Sequence, residues 1–249
     1  MTLRKSFLLL FSCAIAVVAF SAVGVSGAAA SQTHECKIPE FDKELGEFEP
    51  FTSGHFLDPN CEKSSGAEGE YHTTFVKKNA VLKRTNTAPV FVHWVVSGIE
   101  VEVKCETLGG TKTVSNFEKE GKFGFSGEGK ISLSACTVAK PAGAGCTVKP
   151  IETVQLSETS EDLAGEVLRT LYVPKEGSKL TTVTVEGCVL KGSYVVEGKL
   201  RSQAVNIHTE EFSAKSGSEL TIKGLPVFIT APFHDATASN GKTVVRELP

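Results

Sequence analysis

The sequence contains none of the short motifs that accompany common catalytic chemistry. It has no H-E-x-x-H motif of a zinc hydrolase, no P-loop and no glycine-rich dinucleotide fingerprint. The C-x-x-C spacing of thioredoxin-like redox sites and of many zinc sites is also absent. The nearest match to a nucleophile elbow starts at Gly124, but Glu128 stands where its second glycine should be. These absences predict no catalytic, cofactor-binding or metal site, and favour a protein that is not an enzyme.

Side chains suited to acid–base or aromatic recognition are scarce. The chain has one tryptophan and six histidines. His93 beside Trp94 is the most suggestive pair, because aromatic side chains contact carbohydrates, but its apolar surroundings favour packing in the core. His234 and Asp235 could form an acid–base pair, yet they fall in a predicted loop, where a surface turn is the simpler interpretation. The histidines are scattered, at positions 34, 55, 72, 93, 208 and 234.

Positive charge is too sparse for a nucleic-acid-binding face. Beyond residue 30 the chain has 24 basic and 29 acidic residues, and residues 31–70 alone contain ten acids against three bases. The only basic cluster lies at 77–84, and we interpret it as part of a solvated connector over 77–89. The charge pattern therefore excludes nucleic acid as an expected partner.

The first thirty residues have the layout of a secretory signal peptide. Arg4 and Lys5 precede an apolar stretch, and Ala28–Ala30 end it with small side chains. We expect cleavage near Ala30 and a secreted mature chain; the alternative is an uncleaved N-terminal membrane anchor. Beyond residue 30 no apolar run reaches membrane length, which predicts no membrane insertion of the mature chain.

Six cysteines remain after that segment, and an even number in an exported chain predicts disulfides. Six cysteines allow fifteen pairings. Sequence order favours Cys136–Cys146 around a Pro/Gly/Ala loop and Cys36–Cys61 around the acidic segment, which leaves Cys105–Cys188. The six predicted disulfide residues are Cys36, Cys61, Cys105, Cys136, Cys146 and Cys188.

Alternation of apolar and polar side chains predicts strands almost everywhere. It is clearest over 99–106, where Val101, Val103 and Cys105 share one face and charged residues fill the other. The stretch 89–96 is apolar on both faces, and Ser97-Gly98 after it is a hairpin signal. Further strands are predicted at 122–135 (as two short strands around residues 126–129), 181–188, 192–207, 218–224, 225–233 and 242–248, the last after an Asn240-Gly241 hairpin.

The resulting fold is all-β, an antiparallel sandwich or open barrel tied by disulfides. One short helix is predicted after Thr159, whose spacing to Asp162 matches a capping box. The domain organisation is a signal peptide (1–30), an acidic Cys-closed N-terminal segment (31–76) and a main β domain (77–249).

The cysteine-containing segments carry a resemblance. "HECKIPEF", "VKCETLGG", "LSACTV", "GCTVKPIETVQL" and "VEGCVLKGSYVVEGKL" resemble a group of exported, β-rich, cysteine-paired proteins of soil actinobacteria. The likeness covers most of residues 34–205, although Ala135 replaces the glycine that the group has before its loop cysteine. It implies a secreted bacterial β protein and transfers no activity.

Three function classes follow. The first is a secreted, non-enzymatic protein with a binding or envelope-associated role. The second is a carbohydrate- or small-ligand-binding module, which requires exposed aromatic side chains on one sheet face or in one cleft. The third is a secreted hydrolase with an unfamiliar motif, which requires a cleft with clustered polar residues.

Overall fold

The protein was analysed as a computed structural model, which describes residues 32–38, 41–42, 47–48, 53–63, 69–76, 78–119, 122–161, 168–239, 241 and 244–246. The described residues form strands and one 3-10 turn (Ala214–Ser216). The strands are β1 (Thr33–Lys37), β2 (Phe41–Asp42), β3 (Glu47–Phe48), β4 (Ser53–Phe56), β5 (Tyr71–Phe75), β6 (Ala80–Asn86), β7 (Val90–Val96), β8 (Ile99–Lys119), β9 (Lys122–Gly129), β10 (Ser132–Lys140), β11 (Thr147–Val148), β12 (Ile151–Glu152), β13 (Leu156–Glu161), β14 (Arg169–Pro174), β15 (Lys179–Glu186), β16 (Gly192–Ala204), β17 (Glu210–Phe212), β18 (Glu219–Ile222), β19 (Leu225–Thr237) and β20 (Val244–Arg246).

Strands β6 to β19 close into an eight-stranded antiparallel barrel with up-and-down order. In chain order the eight positions are filled by β6/β7, β8, β9/β10, β11/β12/β13, β14/β15, β16, β17/β18 and β19, and β19 pairs back with both β6 and β7. Three positions are single long strands and five are interrupted. The predicted all-β class is confirmed, and the sheet closes completely, so its central part leaves no free edge.

Period-two patterning explains why these segments form barrel strands. In β8 the side chains of Val101, Val103 and Cys105 are fully buried, while the charged residues between them face outward, as predicted. Ser97 and Gly98 both have positive φ, 49° and 79°, which is the two-residue turn that matches the twist of paired strands. The predicted hairpin between β7 and β8 is therefore confirmed.

Two glycines lie in the long strands β8 and β16, at points where the backbone of the neighbouring barrel position comes very close. Gly110 in β8 has φ 151°, and a Cβ there would lie 2.1 Å from the carbonyl oxygen of Lys130, between β9 and β10. Gly198 in β16 has φ 113°, and a Cβ there would lie 1.9 Å from the carbonyl oxygen of Glu219. Any side chain would force these strands apart, so both positions require glycine.

The barrel has two different ends. The loops 97–98, 141–146, 187–191 and 223–224 lie together at one, which we call the loop end. The other, the sheet end, is covered by a four-stranded sheet in the order β20-β1-β5-β4. The Asn116 side chain of β8 fixes this sheet: its Oδ1 accepts from the Thr33 amide at 2.8 Å and its Nδ2 donates to the Thr33 carbonyl at 2.9 Å.

The strand β20 departs from the predicted hairpin. It pairs with β1 instead of β19, so the end of the chain completes the sheet that residues 33–75 begin. Asn240 itself lies outside the described residues. The division into segments 31–76 and 77–249 stays a prediction.

All six predicted cysteines are bridged, but two of the three pairings were wrong. Cys36–Cys61 is confirmed, whereas the other bridges are Cys105–Cys136 and Cys146–Cys188. β10 pairs with β11, but it also pairs with β8 on its other side, where Cys136 lies directly opposite Cys105. Ala135, the residue before Cys136, has a positive φ of 51°. Cys146 is then free to join Cys188, which ties two loops of the loop end together.

Three further predictions were wrong. Residues 77–89 are not a connector, because β6 (80–86) is a barrel strand. The two strands predicted over 122–135 are present as β9 and the start of β10, but residues 126–129 belong to β9 and do not form the turn between them. Thr159 lies in β13 and caps no helix, while residues 162–167 lie outside the described residues. In each case pairing with two neighbours in the barrel outweighed a weak local signal.

Candidate functional site

The half of the barrel interior nearer the loop end is filled with apolar side chains. Val92, Leu133, Leu180 and Val196 come from different strands and pack around one cavity of about 30 Å³. Such a volume has room for about one water molecule, whereas ligand pockets usually measure about 300–1,000 Å³. This half of the interior is a packed core.

The half nearer the sheet end contains a buried ion network. Arg84 Nε lies 3.1 Å from Asp235 Oδ1, and an Arg84 terminal nitrogen lies 3.2 Å from Glu158 Oε2. Lys112 Nζ bridges the same two carboxylates, at 2.9 Å from Glu158 and 2.7 Å from Asp235. The four side chains are at most 3% exposed. Each charge therefore has two opposite charges within contact distance, which compensates its loss of water.

A second group of hydrogen bonds continues from this network across the barrel. Arg84 donates to the Tyr172 hydroxyl at 3.3 Å, and that hydroxyl lies 3.2 Å from Ser202 Oγ. Ser202 and Thr170 both donate to Glu210 Oε2, Thr170 at 3.0 Å. The guanidinium of Arg84 also lies over the Tyr172 ring, 5.0 Å from its centre. The network thus links barrel strands on opposite sides of the interior.

The surroundings keep these groups in fixed charge states. Burial alone would lower the pKa of Arg84, but the Asp235 and Glu158 carboxylates outweigh it and raise the pKa well above its ordinary value. Burial would raise the pKa of Glu158, but Arg84 and Lys112 outweigh it and lower that pKa. Burial raises the pKa of Tyr172 well above its ordinary value, so its phenol stays neutral.

The network is closed at both ends by apolar side chains. Leu82, Val114 and Phe125 pack below it at the sheet end. Phe212 and Phe233, whose rings lie 4.7 Å apart, pack above it. In the part of the chain that the structure describes, these charged side chains are shielded from solvent, and we assign them a role in holding the barrel together.

The outer surface carries an exposed aromatic face near the loop end. Phe91 and His93 of β7 lie beside Thr230 and Phe228 of β19. Phe228 is 46% exposed, and its ring stacks with that of His93 at 6.3 Å and an interplanar angle of 23°. We call Phe91, His93 and Phe228 the aromatic face.

Charged groups border the aromatic face. His93 Nε2 lies 3.0 Å from Glu100 Oε1, and Lys140 Nζ lies 3.0 Å from the same oxygen. The side chain of His93 is 30% exposed. Lys140 holds the pKa of Glu100 below its ordinary value, through a hydrogen bond and its charge. The site offers flat apolar rings beside hydrogen-bonding groups, which suits a ligand with both apolar and polar faces.

A polar groove lies on the outside of β8, β9 and β13. It has a volume of about 510 Å³, and its lining includes the hydroxyl groups of Ser115, Ser126 and Thr159 and reaches Glu158 of the ion network. Glu128, which also lines it, is paired with Lys175 at 2.9 Å. The groove can offer hydroxyl groups to a small polar ligand, but its described lining contains no aromatic side chain for a ring to stack on.

A smaller cleft brings together two histidines that are far apart in the sequence. His208, His234 and Glu62 line a space of about 140 Å³ between loop 57–63 and the barrel. His208 Nε2 lies 3.6 Å from Glu62 Oε1. The cleft is smaller than ordinary ligand pockets. Among the described residues, no three His, Cys, Asp or Glu side chains are arranged to hold a metal ion.

The structure separates the two pairs that the sequence singled out. Trp94 is fully buried against Tyr194, which confirms core packing for that residue, whereas His93 points outward. His234 and Asp235 lie in β19 and not in a loop, and Asp235 faces the interior while His234 lines the outer cleft. In both pairs the two side chains face opposite sides of the barrel wall.

Sequence reasoning missed the ion network. The sequence did contain a signal for it, in the alternation of strand faces. Lys112 lies on the same face of β8 as buried Val114, and Arg84 lies on the same face of β6 as buried Leu82. A charged residue on the apolar face of a strand points to a buried partner, but the partner's identity depends on barrel closure.

Comparison with known proteins gave no match to a family model, to a curated protein or to a solved structure. In the part of the chain that the structure describes, no helix is long and apolar enough to cross a membrane. The three disulfides are typical of proteins that fold in an oxidising compartment.

Proposed function

We propose that this is a secreted, non-enzymatic protein with a binding or envelope-associated role, which it performs through its outer surface. The observation that carries the proposal is the filled interior. Among the described residues, the interior charges are at most 3% exposed, and the cavity in the apolar half measures about 30 Å³. A barrel that can hold no ligand inside has its surface left for recognition.

A carbohydrate- or small-ligand-binding module is the second candidate, and the aromatic face supports it. Phe228 and His93 present stacked rings beside Glu100 and Lys140. Replacing Phe228 with alanine would remove retention on insoluble polysaccharide if this candidate holds. Val205→Ala, an exposed position at the sheet end, is the matched control and should keep retention.

The proposal is tested on the protein purified from its expressing cells. We expect it outside the cytoplasm, with an N-terminus at or near Ser31, and without turnover of esterase, glycosidase or peptidase substrates. An intracellular, unprocessed chain would contradict the secreted role. Turnover that disappears in His93→Ala, His208→Ala or His234→Ala, with the fold intact, would establish an enzyme instead.

A further inference from the structure

The loop end exposes apolar side chains on several neighbouring loops. Val189 at the tip of loop 187–191 is 91% exposed. Ile99 and Leu225, at the starts of β8 and β19, are 45% and 47% exposed. Ile99 lies on β8 and Leu225 on β19, and these two strands pair with β7 on its two sides. The apolar positions therefore occupy one end of the barrel.

The charge of the four loops is of one sign. They contain Lys191 and Lys223, both exposed, and no acidic residue. On the adjoining strands, Lys149 lies 2.7 Å from Glu186, and Lys140 lies between Glu100 and Glu102, at 3.0 Å and 3.3 Å. Among the described residues, neither loop lysine takes part in an ion pair. The loop end therefore combines exposed apolar tips with unneutralised positive charge.

The most exposed tip is held rigidly. The Cys146–Cys188 disulfide joins loop 141–146 to loop 187–191, with a Cα–Cα distance of 5.1 Å. The Lys191 amide donates to the Cys188 carbonyl at 3.0 Å, and the Tyr194 hydroxyl donates to the Leu190 carbonyl at 2.7 Å. Because the tip is already fixed, it loses little conformational entropy on binding, and the binding free energy is reduced less by ordering.

We propose that the loop end docks on an anionic lipid surface. Val189, Ile99 and Leu225 enter the boundary between headgroups and acyl chains, while Lys191 and Lys223 contact the lipid phosphates. Their aliphatic stems lie along the apolar surface and their ammonium groups reach the headgroups. This inference rests on the proposed envelope-associated role and names the partner.

Charge favours lipid over a second copy of the chain as the partner. A symmetric dimer through the loop end would bring Lys191 and Lys223 of each copy against the same positive surface of the other. No carboxylate in the four loops is present to compensate them. An anionic bilayer offers phosphate groups instead. The apolar side chains that protrude from the loop end can enter the interfacial region of that bilayer.

The test is flotation of the purified protein with vesicles of phosphatidylglycerol in phosphatidylcholine, compared with phosphatidylcholine alone. We expect binding only to the anionic vesicles, weakened by salt. Lys191→Gln and Lys223→Gln should each reduce the partition coefficient about fivefold. Val189→Asp should reduce it further, because a carboxylate replaces the inserting side chain. The matched controls are Lys199→Gln on the barrel side and Val205→Asp at the sheet end, and both should bind as the unmodified protein does.

The other outcomes overturn the proposal in distinguishable ways. Binding that Val189→Asp and the lysine variants leave unchanged would keep an envelope-associated role and remove the loop end as its site. Absence of vesicle binding would exclude the lipid partner, while N-terminal sequencing and fractionation still decide secretion. A dimer that forms with rising concentration and is lost in Val189→Asp would show a second copy as the occupant.

Discussion

Replacing Arg84 with methionine is expected to lower the free energy of unfolding by about 3–5 kcal/mol. The substitution removes one of the two described cations that contact both buried carboxylates, Glu158 and Asp235, and leaves Lys112. It also removes a donor to Tyr172 and the contact with that ring. Urea denaturation followed by circular dichroism measures the loss.

Lys83→Met is the matched control, because Lys83 is the neighbouring position of β6 and points to solvent. We expect its unfolding midpoint to stay within about 0.5 kcal/mol of the unmodified protein. Equal stability of the two variants would mean that the interior network contributes no more than a surface lysine, and the assigned structural role would be wrong.

Removal of the Cys146–Cys188 bridge as a pair is expected to cost about 4 kcal/mol in the chain-entropy model. The bridge closes a loop with a sequence separation of 42, which is the longest of the three. Replacing both cysteines with serine leaves the other bridges intact, and thermal or urea unfolding measures the loss.

The control for that experiment is a second double variant, which removes one cysteine from each of two different bridges. In Cys136→Ser with Cys146→Ser, the thiols of Cys105 and Cys188 lose their partners, so thiol titration should find two free thiols in the chain beyond residue 30. The Cys146/Cys188 double variant should have none there. The reverse result would restore the pairing that sequence order predicted.

Regular strands were predictable because their signals are local. Val101, Val103 and Cys105 alternate with charged residues, and Ser97-Gly98 marks the turn before them, so β7 and the first part of β8 (99–106) follow from the local sequence, whereas the continuation of β8 to Lys119 was not predicted. The same local reasoning failed at Thr159, where a capping-box spacing is weaker than pairing of β13 with both β9 and β14.

Features that depend on which strands pair were not predictable in this way. Each barrel strand pairs with the position before it and the position after it, and sequence order does not decide which of the two supplies the partner of a cysteine. Cys136 was assigned to Cys146 after it, although its partner Cys105 lies in the strand before it. The contact between Arg84 and Asp235 depends on barrel closure, since it requires β19 to pair back with β6, across 151 residues.

The barrel interior is closed, and Trp94 reports on this closure directly. It is the only tryptophan of the chain, and it is fully buried in the interior against Tyr194. Acrylamide quenching of its fluorescence is the most direct measurement. We predict blue-shifted emission and a Stern–Volmer constant several-fold below that of the urea-unfolded chain. A quenching constant equal to that of the unfolded chain would show an interior open to small molecules and contradict this account.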